Sequence, residues 1–484
     1  MQQCVILGGG FTGAALAIHL VRASPRPLDI TLVEPRAHPG GGVAYSTRDP
    51  DHRVNGPIEI LAIFPDDIGH FPRWYTQSGE AAADAEALAS TGQLYCRRAS
   101  FGRYMQQLLA EHAAGNPSQS RIRHVRAAAL DLRQADGGFR IALDTGDSLT
   151  ADKVFLAAAH EPPALPREYR ALNGQTGFVE DPWNIAAIEA LPRGRDIVVL
   201  GTALTAADII ASLLRQDRGQ DREQNREWGR IYAISRRGQR PREQGVLPPI
   251  EQRLARMALP VPAFVQRHDL RASLPRPLRA LDMLRALRGD IAERESRGED
   301  WQTAFDDLRD AAPEIWPRLS LPDKRRALRY LRAHYDTHRF RIAPQIAQRL
   351  KQGEAEGRVA LLRARTLTAE VDADGFRITL RVAGEEKPRI IQAGGIINCT
   401  GPNADIAASA NPLLRSALQQ GLIRPDPVGV GIDVGDDCRA VSRAGEAVPG
   451  LWVVGPLTRG HFGDLTAIPQ INRQILNLLA NLLG

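Results

Sequence analysis

Near its amino end the chain reads Cys4-Val5-Ile6-Leu7-Gly8-Gly9-Gly10-Phe11-Thr12-Gly13 and continues into the apolar run Ala14-Ala15-Leu16-Ala17-Ile18-His19-Leu20. A second apolar run, Ile30-Thr31-Leu32-Val33, ends in Glu34. A strand, a glycine turn, a helix, a second strand and an acid, in this order, form the fingerprint of a dinucleotide-binding unit. The stretch therefore predicts an α/β fold of the Rossmann type.

The three glycines of this turn have different physical tasks. Gly8 permits the tight turn out of the strand, Gly10 lets a pyrophosphate approach the backbone, and Gly13 lets the helix pack closely on the sheet. The helix start then presents free N–H groups and a positive dipole end to the phosphates. Glu34 follows Gly13 by about 20 residues, the spacing at which an acid accepts the ribose hydroxyls. The alternative is a glycine-rich turn without a ligand.

Length and charge limit the classes of function. With 484 residues the chain is long enough for two or three domains. The formal net charge of +6 is modest for this length and suits anionic cofactors and a small anionic substrate. Aromatic residues make up only 5% and no nucleic-acid reader motif is present, so nucleic-acid binding is not expected.

The apolar runs and the cysteines indicate the compartment. The glycine turn interrupts the first apolar run and no basic segment precedes it, so it does not resemble a signal peptide. No apolar stretch is long enough to span a membrane. The four cysteines (Cys4, Cys96, Cys399 and Cys438) form no CxxC pair, which argues against a metal site, a disulfide framework and a redox dithiol. We therefore expect a cytoplasmic protein without a metal.

A second nucleotide-like unit begins at the strand of residues 196–200. The turn Gly201-Thr202-Ala203-Leu204-Thr205 opens a helix, and the next strand ends in Ser235-Arg236-Arg237. Arginine at this point can pair with a 2′-phosphate, which favours NADPH over NADH and leaves NADH open. Because Ala203 replaces the second glycine, a decayed unit without a ligand is the alternative. The predicted NAD(P)H contacts are Gly201, Thr202, Leu204, Thr205, Ser235, Arg236 and Arg237.

The last quarter of the chain predicts a return to the first unit. A buried strand ends at Gly401, a final strand ends at Gly455, and the last helix starts near Thr466. We expect the amino end of that helix to point at the pyrimidine edge of an isoalloxazine ring, where negative charge develops on reduction. The first unit is then an FAD site. Its predicted contacts are Gly8, Gly10, Phe11, Thr12, Gly13, Glu34, Arg36, Gly42, Tyr45, Gly401, Gly455, Asp464, Thr466 and Ala467, with Gly42 and Tyr45 in the loop that follows the pyrophosphate and Asp464 near the ribityl chain.

These units define the expected architecture, a two-dinucleotide-binding-domain flavoprotein. Residues 1–160 form the first part of an FAD-binding domain, 161–395 an inserted NAD(P)H-binding domain, and 396–484 the return segment. Residues from about 248 to 348 form a helical, arginine-rich insertion in the second domain. Its Arg325, Arg326, Arg329 and Arg332 fall on or near one helical face. That face is interpreted either as solvated surface or as a lid that receives an anionic substrate.

Several segments, in order along nearly the whole chain, resemble the bacterial FAD/NAD(P)-binding proteins of the YdhS type. They are Ile6 to Gly13, Gly40 to Thr47, Phe64-Pro65-Asp66-Asp67, Asp181-Pro182-Trp183, Gly201 to Asp208, Ser235-Arg236-Arg237-Gly238, Asn398 to Pro402 and Gly455 to Pro469. The resemblance implies FAD, NADPH or NADH, and flavin monooxygenase activity, since the family includes an FAD-dependent urate hydroxylase. The chain departs from the family at Ala158-Ala159, where Thr-Gly is usual, and at Ala203, which puts the pose of the nicotinamide cofactor in doubt.

FAD and NAD(P)H without redox cysteines leave three classes of function. We predict a single-component monooxygenase that acts on a small molecule with O₂, and the resemblance adds urate hydroxylation to 5-hydroxyisourate, a step of purine catabolism. The alternative is an amino-acid N-hydroxylase, and beyond it a flavoprotein reductase or a non-catalytic flavoprotein. The oligomeric state stays open. No motif names a catalytic base: His160 and His461 are the histidines placed nearest the active site, and each suits a structural or cofactor-orienting role better than proton donation.

Overall fold

The strands of the computed structural model form two main sheets, one from the outer parts of the chain and one from its middle. The structure describes residues 1–135, 137–158, 161–216, 228–257, 261–270 and 278–483. The strands are β1 (Gln2–Leu7), β2 (Leu28–Val33), β3 (Arg121–Val125), β4 (Ala129–Ala135), β5 (Gly138–Leu143), β6 (Ser148–Ala151), β7 (Lys153–Leu156), β8 (Glu161–Pro163), β9 (Phe178–Val179), β10 (Asp196–Leu200), β11 (Ile231–Ser235), β12 (Val359–Asp372), β13 (Gly375–Val382), β14 (Arg389–Asn398), β15 (Pro402–Asn403), β16 (Arg439–Val441) and β17 (Ala447–Val453).

The helices cover the sheets and build a separate helical segment. They are α1 (Phe11–Ala23), α2 (Gly42–Tyr45), α3 (His70–Gln77), α4 (Arg98–Ala114), α5 (Ile185–Glu189), α6 (Leu204–Gln216), α7 (Ile250–Met257), α8 (Ala263–Arg267), α9 (Ala280–Ser296), α10 (Gln302–Ile315), α11 (Leu321–Arg326), α12 (Arg332–Arg339), α13 (Pro344–Ala355), α14 (Pro412–Gln419), α15 (Arg459–Phe462) and α16 (Ile468–Leu483). In the described ranges, none of them has both the length and the hydropathy that a bilayer span requires.

The first sheet has the strand order β16-β17-β7-β1-β2-β3. All pairings from β17 to β3 are parallel, and only β16 runs antiparallel to its neighbour. Residues 4–7 of β1 and all of β2 are buried, as expected for parallel strands covered on both faces. One face is covered by α1, which packs against both α4 and α16. The last helix of the chain therefore lies beside the first, which brings the carboxyl-terminal segment to the first glycine turn.

The second sheet repeats this arrangement. Its parallel strands lie in the order β9-β14-β10-β11-β12, and β13 pairs antiparallel with both β12 and β14. The first sheet has the equivalent parallel order β17-β7-β1-β2-β3, accompanied by the antiparallel layer β4-β5-β6. This is the predicted Rossmann-like, two-domain flavoprotein fold. β3 does not belong to the antiparallel layer, since it pairs parallel with β2.

The chain passes from the first sheet to the second and later returns, and the two crossing segments lie side by side. There β8 pairs antiparallel with β15, with Pro402 opposite Pro163 and Asn403 opposite Glu161. The strand before the second crossing, β14, continues to Asn398, so it ends slightly beyond residue 395, where the sequence analysis divides the domains.

The helical segment has a core of its own. Phe264, Val265, Ala311 and Ile315 are fully buried together within it. The predicted insertion extends to about residue 348, but α13 packs on α6 and β12 of the second domain. The helical segment is therefore the part of the chain from α7 to α12.

A buried ion pair joins the two domains. Nη2 of Arg98, in α4, lies 2.8 Å from Oδ2 of Asp208, in α6, and both side chains are at least nine-tenths buried. Arg98 also donates from Nε to the Arg53 carbonyl at 2.9 Å. Nearby, Asp51 accepts from Arg215 and Arg349, which belong to the second domain. Charged contacts thus fix the docking of α6 and α13 on the first domain.

We expect Asp208→Asn to destabilise the protein by about 3 kcal/mol, because it leaves the Arg98 guanidinium buried without its counter-charge. The measurement is the loss of thermal and urea stability by circular dichroism. The matched control is Asp66→Asn, which removes the partner of Arg22 in an exposed ion pair and should cost no more than about 1 kcal/mol. Equal losses in the two variants would contradict this account of domain docking.

Candidate active site

Gly8 and Gly13 hold the first glycine turn against its neighbours. Gly8 has φ +109°, and a Cβ there would clash with the carbonyl oxygen of Ala157 at the end of β7. A Cβ at Gly13 would clash with the carbonyl oxygen of Gly8. Both positions therefore require glycine for the protein's own packing.

Gly10 is different, because the protein itself has room for a side chain there. Its φ is −69°, and a Cβ would meet only Gly42, whose Cα would lie 3.4 Å away. The bare backbones of Gly10 and Gly42 thus face each other at the amino end of α1. A pyrophosphate predicted at this helix start would use this space, where N–H groups point outward and the helix dipole is positive.

Glu34 lies at the end of β2 and stabilises the turn directly. Its Oε2 accepts the Gly9 N–H at 2.9 Å, and its Oε1 accepts from the backbone and Nη1 of Arg36 at 3.1 and 3.0 Å. The carboxylate is buried beside the turn. A contact from Glu34 to a ribose stays a prediction.

Tyr45 lies on the loop that the sequence analysis places along the pyrophosphate. Its ring packs edge-on against Phe101 at 4.9 Å and against Phe11 at 6.4 Å between centroids. Burial raises the pKa of Tyr45 to about 12, so its hydroxyl stays protonated at neutral pH.

The second glycine turn has the same geometry as the first. Gly201 has φ +106°, and a Cβ there would clash with the carbonyl oxygen of Cys399 at the end of β14. Thr202 donates from Oγ1 to the Gln239 carbonyl, and the Ser235 hydroxyl accepts the Gly238 N–H at 3.0 Å. Thr202 and Ser235 thus close the loop that follows β11. Leu204 and Thr205 form the first residues of α6, where a phosphate is predicted.

The two arginines after β11 have different surroundings. Arg237 donates from Nη2 to the Arg329 carbonyl at 2.9 Å, so it contacts the helical segment. Arg236 is exposed at the carboxyl edge of the sheet. Arg363, which the sequence analysis did not single out, pairs with Ser235 across β11 and β12. A Cβ at Gly238 would lie 2.7 Å from the Cβ of Arg363, so the base of this exposed side chain packs against the turn that carries Gly238.

The carboxyl-terminal segment places its predicted residues beside α1. Gly455 has φ +88°, donates its N–H to Gln474 at 2.7 Å, and faces Thr12. Ala467 accepts the Ile471 N–H and so begins the turn of α16. Gly401, with φ +85°, has open space where a Cβ would lie.

Four buried polar atoms in this segment have no hydrogen-bond partner among the described residues: Oδ1 of Asp464, Oγ1 of Thr466, Oε1 of Gln470 and Oδ1 of Asn472. Leaving such an atom unsatisfied costs about 1–3 kcal/mol, so each is suited to a ligand that supplies the missing partner. FAD is predicted at Asp464 and Thr466, and the orphaned atoms of these two residues fit that group.

The other carboxylate oxygen of Asp464 joins the helical segment to this region. Its Oδ2 accepts from Tyr335 Oη at 2.9 Å and from Arg339 Nε at 2.7 Å. Burial raises the pKa of Tyr335 well above its ordinary value, so the phenol remains the proton donor in this bond.

A cavity of about 1000 Å³ lies between the helical segment and the carboxyl-terminal segment. Its walls are mainly apolar and aromatic, and they include Leu284, Leu287, Trp301, Phe305, Leu308 and Trp316. Arg459, Gly463, Asp464 and Thr466 line it from the carboxyl-terminal side. The size and apolar lining are typical of a small-molecule site.

Two arginines and two carboxylates gather on one side of this cavity. Nε of Arg332 lies 3.3 Å from Oδ2 of Asp336, and Arg459 lies near both of them and near Asp464. Burial and the Arg332 charge lower the pKa of Arg459 to about 10, and burial raises the pKa of Asp336. Arg459 was not predicted as a site residue, although it lies within the quoted segment from Gly455 to Pro469.

The predicted face of four arginines does not exist as a unit. Residues Ala327–Leu331 form a π-helix, in which the Arg332 N–H bonds to the Ala327 carbonyl, and this turn changes the helical phase. Arg332 lines the cavity, whereas Arg325, Arg326 and Arg329 are exposed, as the interpretation of a solvated surface expects. The regular spacing assumed from sequence was therefore wrong here.

Within the described ranges, the structure offers no contact that would give His461 a catalytic role, and it does not describe His160. His461 lies 2.8 Å from the exposed Asp436 carboxylate, through Nε2, and is not among the residues that line the cavity. His160 lies outside the described residues.

The comparison with protein families agrees with the first glycine unit. A family model described as FAD-NAD(P)-binding matches residues 5–161, which run from the middle of β1 through β7. This match confirms the prediction of FAD and NAD(P) as cofactors. Uncharacterized proteins of Mycobacterium tuberculosis and Mycobacterium bovis are each 25% identical over 421 residues, covering 81% of this chain and 74% of theirs.

Solved structures share the fold over the full chain. L-lysine 6-monooxygenase from Pseudomonas syringae superimposes with a TM-score of 0.64 at 16% identity, covering 100% of this chain and 99% of that one. The ornithine N-hydroxylase of Kutzneria sp. 744, solved with reduced FAD, NADP⁺ and L-ornithine, gives 0.60 at 15% identity, covering 99% and 98%. Thioredoxin reductase from T. acidophilum gives 0.50 at 12% identity, covering all of both chains.

The contrast between Gly10 and Gly8 gives a test of the FAD site. We expect Gly10→Ala to keep the thermal stability of the apoprotein but to weaken FAD binding by about tenfold or more, ~1.4 kcal/mol, because its methyl group enters the pyrophosphate space. The measurement is an FAD titration of apoprotein by fluorescence quenching.

Gly8→Ala is the matched comparison, since its methyl group meets backbone and should lower the melting temperature of the apoprotein itself. If Gly10→Ala destabilises the apoprotein as much as Gly8→Ala does, the space between Gly10 and Gly42 is a packing requirement and not a ligand site.

Proposed function

We propose that this protein is an FAD-dependent, NADPH-consuming monooxygenase that hydroxylates an amino nitrogen of a small molecule. The observation that carries the proposal is the cavity that ends at Asp464 and Thr466, two residues predicted to contact FAD, each with an unsatisfied buried polar atom. The apolar and aromatic side chains that line most of this cavity suit an oxygenating flavin site, which has to limit the access of water. Full-length similarity of fold to a lysine monooxygenase and an ornithine N-hydroxylase supports the same class.

In this proposal the protein supplies binding and orientation. FAD, when bound, supplies the redox and oxygen chemistry, with NADPH as the reductant. The residues from Gly8 to Gly13 and the start of α1 hold its pyrophosphate. Thr466 and Asp464 orient the flavin end, and Arg339 and Tyr335 keep the Asp464 carboxylate in place.

In the same proposal the second unit holds NADPH. The start of α6 at Leu204 and Thr205 receives the pyrophosphate, and Arg236 meets the 2′-phosphate. Arg363, on the adjacent strand, is a second cation at this edge of the sheet. Two arginines near one phosphate favour NADPH over NADH because the charge-assisted hydrogen bonds are strong.

Urate hydroxylation, the first expectation from sequence, is supported by neither the comparisons nor the cavity. Urate carries nitrogen and oxygen atoms around its whole rim, and the wall formed by residues such as Leu287, Phe305 and Leu308 offers them no partners. The alternative expectation, N-hydroxylation, is the one that we carry forward.

The decisive experiment measures NADPH oxidation and O₂ uptake by the purified FAD-loaded protein against a panel of amino acids, amines and purines. We expect one member of the amine or amino-acid set to accelerate NADPH oxidation, with formation of a hydroxylamine product detected by mass spectrometry. Stimulation by urate alone would support the urate hypothesis and contradict the proposal. O₂-independent reduction of an added protein or dye, without any hydroxylated product, would indicate a reductase, and the proposal would be wrong.

Arg236→Ala tests the nucleotide preference. We expect KM for NADPH to rise about tenfold, with little change for NADH, because only NADPH carries the phosphate that the guanidinium would bind. The control is Arg140→Ala, an exposed arginine on β5 in the first domain, which should change neither value. Equal effects of Arg236→Ala on the two nucleotides would remove the 2′-phosphate assignment.

A further inference from the structure

The cavity in the helical segment combines a large apolar space with a small charged region. Its apolar wall comes from α9 and α10, through residues such as Leu284, Leu287 and Phe305. Burying a ligand's apolar surface against this wall is favourable because the surface is removed from water. A ligand that is polar over its whole surface would lose hydration there without replacement. The wall therefore selects for a molecule with an apolar body.

The charged region has one cation in excess. Arg332 pairs with Asp336 at 3.3 Å, and Arg339 pairs with Asp464 at 2.7 Å. Across the described ranges, the guanidinium of Arg459 has no carboxylate at ion-pair distance, although it lines the cavity. A partly buried cation without its own counter-ion favours an anionic group of a ligand.

The backbone that carries Arg459 is held by contacts with the helical segment. Trp316, from the helical segment, donates its indole N–H to the Gly460 carbonyl at 2.8 Å. A Cβ at Gly463 would lie 3.0 Å from Cβ and Cγ of Trp316, so the helical segment and the carboxyl-terminal segment are in contact at that point. The Arg459 backbone is thereby held against the apolar wall.

From these observations we infer that the cavity binds a carboxylic acid with a large apolar body, its carboxylate on Arg459 and its body between Trp316 and Phe305. Arginine matches a carboxylate because its planar fork donates two parallel hydrogen bonds. The inference rests on the proposed function in taking this cavity as the substrate site. An α-amino acid with a large apolar side chain fits this description, whereas ornithine carries a second charge into the apolar wall.

Calorimetric titration of the FAD-loaded protein tests the inference. The probes are 3-phenylpropionate and its neutral isostere 3-phenylpropanamide, followed by L-phenylalanine and L-ornithine. We expect the acid to bind at least about tenfold more tightly than the amide. We also expect L-phenylalanine to bind at least about tenfold more tightly than L-ornithine, because the ammonium of the ornithine side chain would be desolvated.

Variants locate the anionic group. Arg459→Met keeps the apolar stem and should weaken binding of 3-phenylpropionate about tenfold while changing the amide less than about twofold. Arg326→Met, which removes an exposed arginine of the same helical segment, should change neither ligand. If Arg459→Met does not fold, the same titrations are made with Arg459→Lys. The comparison of acid with amide on the unaltered protein then still tests whether the cavity selects a carboxylate.

Equal affinities for the acid and the amide, or an equal loss of both in Arg459→Met, would overturn the inference. So would tighter binding of L-ornithine than of L-phenylalanine. The proposed function fails separately: if the acids bind as expected but no ligand accelerates NADPH oxidation, the cavity assignment stands and the monooxygenase proposal does not.

Discussion

The whole architecture depends on a close approach that occurs twice, a glycine pressed against the last carbonyl of the neighbouring strand. Gly8 meets the Ala157 carbonyl after β7, and Gly201 meets the Cys399 carbonyl after β14. With any side chain at either glycine, the strand and the turn would have to separate. The contact fixes where the chain leaves each central strand and brings the amino ends of α1 and α6 to the same edge of their sheets. The predicted nucleotide sites and the crossing ribbon β8–β15 follow from that placement.

The helical segment converts this nucleotide scaffold into a site with a volume of its own. It attaches to the carboxyl-terminal segment through polar bonds, from Tyr335 and Arg339 to Asp464 and from Trp316 to Gly460. Its own core is separate, formed by residues such as Phe264 and Ile315. The apolar wall of the cavity and the glycine turns predicted to hold the nucleotides are therefore built by different parts of the chain, and the cavity meets the predicted FAD site at Asp464 and Thr466.

Sequence alone predicted the features that are local in the chain. Both glycine turns, their flanking strands and the terminal helix have short-range signatures, and the structure has them where they were expected. The features it missed depend on contacts between distant residues. Arg459 meets Arg332 across more than a hundred positions, and Arg363 reaches the loop after β11 only through strand pairing. The prediction of one arginine face was wrong for another reason. It assumes a regular α-helical period, and the π-turn at Ala327–Leu331 interrupts that period.

That π-turn also gives the helical segment a tolerance to changes of length. Because a π-turn holds one more residue than an α-turn, an extra residue within Ala327–Leu331 is taken up locally, and the residues on either side keep their own faces. Arg332 and Tyr335, after the turn, line the cavity. The gain or loss of one residue at this point is therefore absorbed before it reaches the charged side of the cavity, whereas the same change in a regular α-helix would rotate all following positions by about 100°.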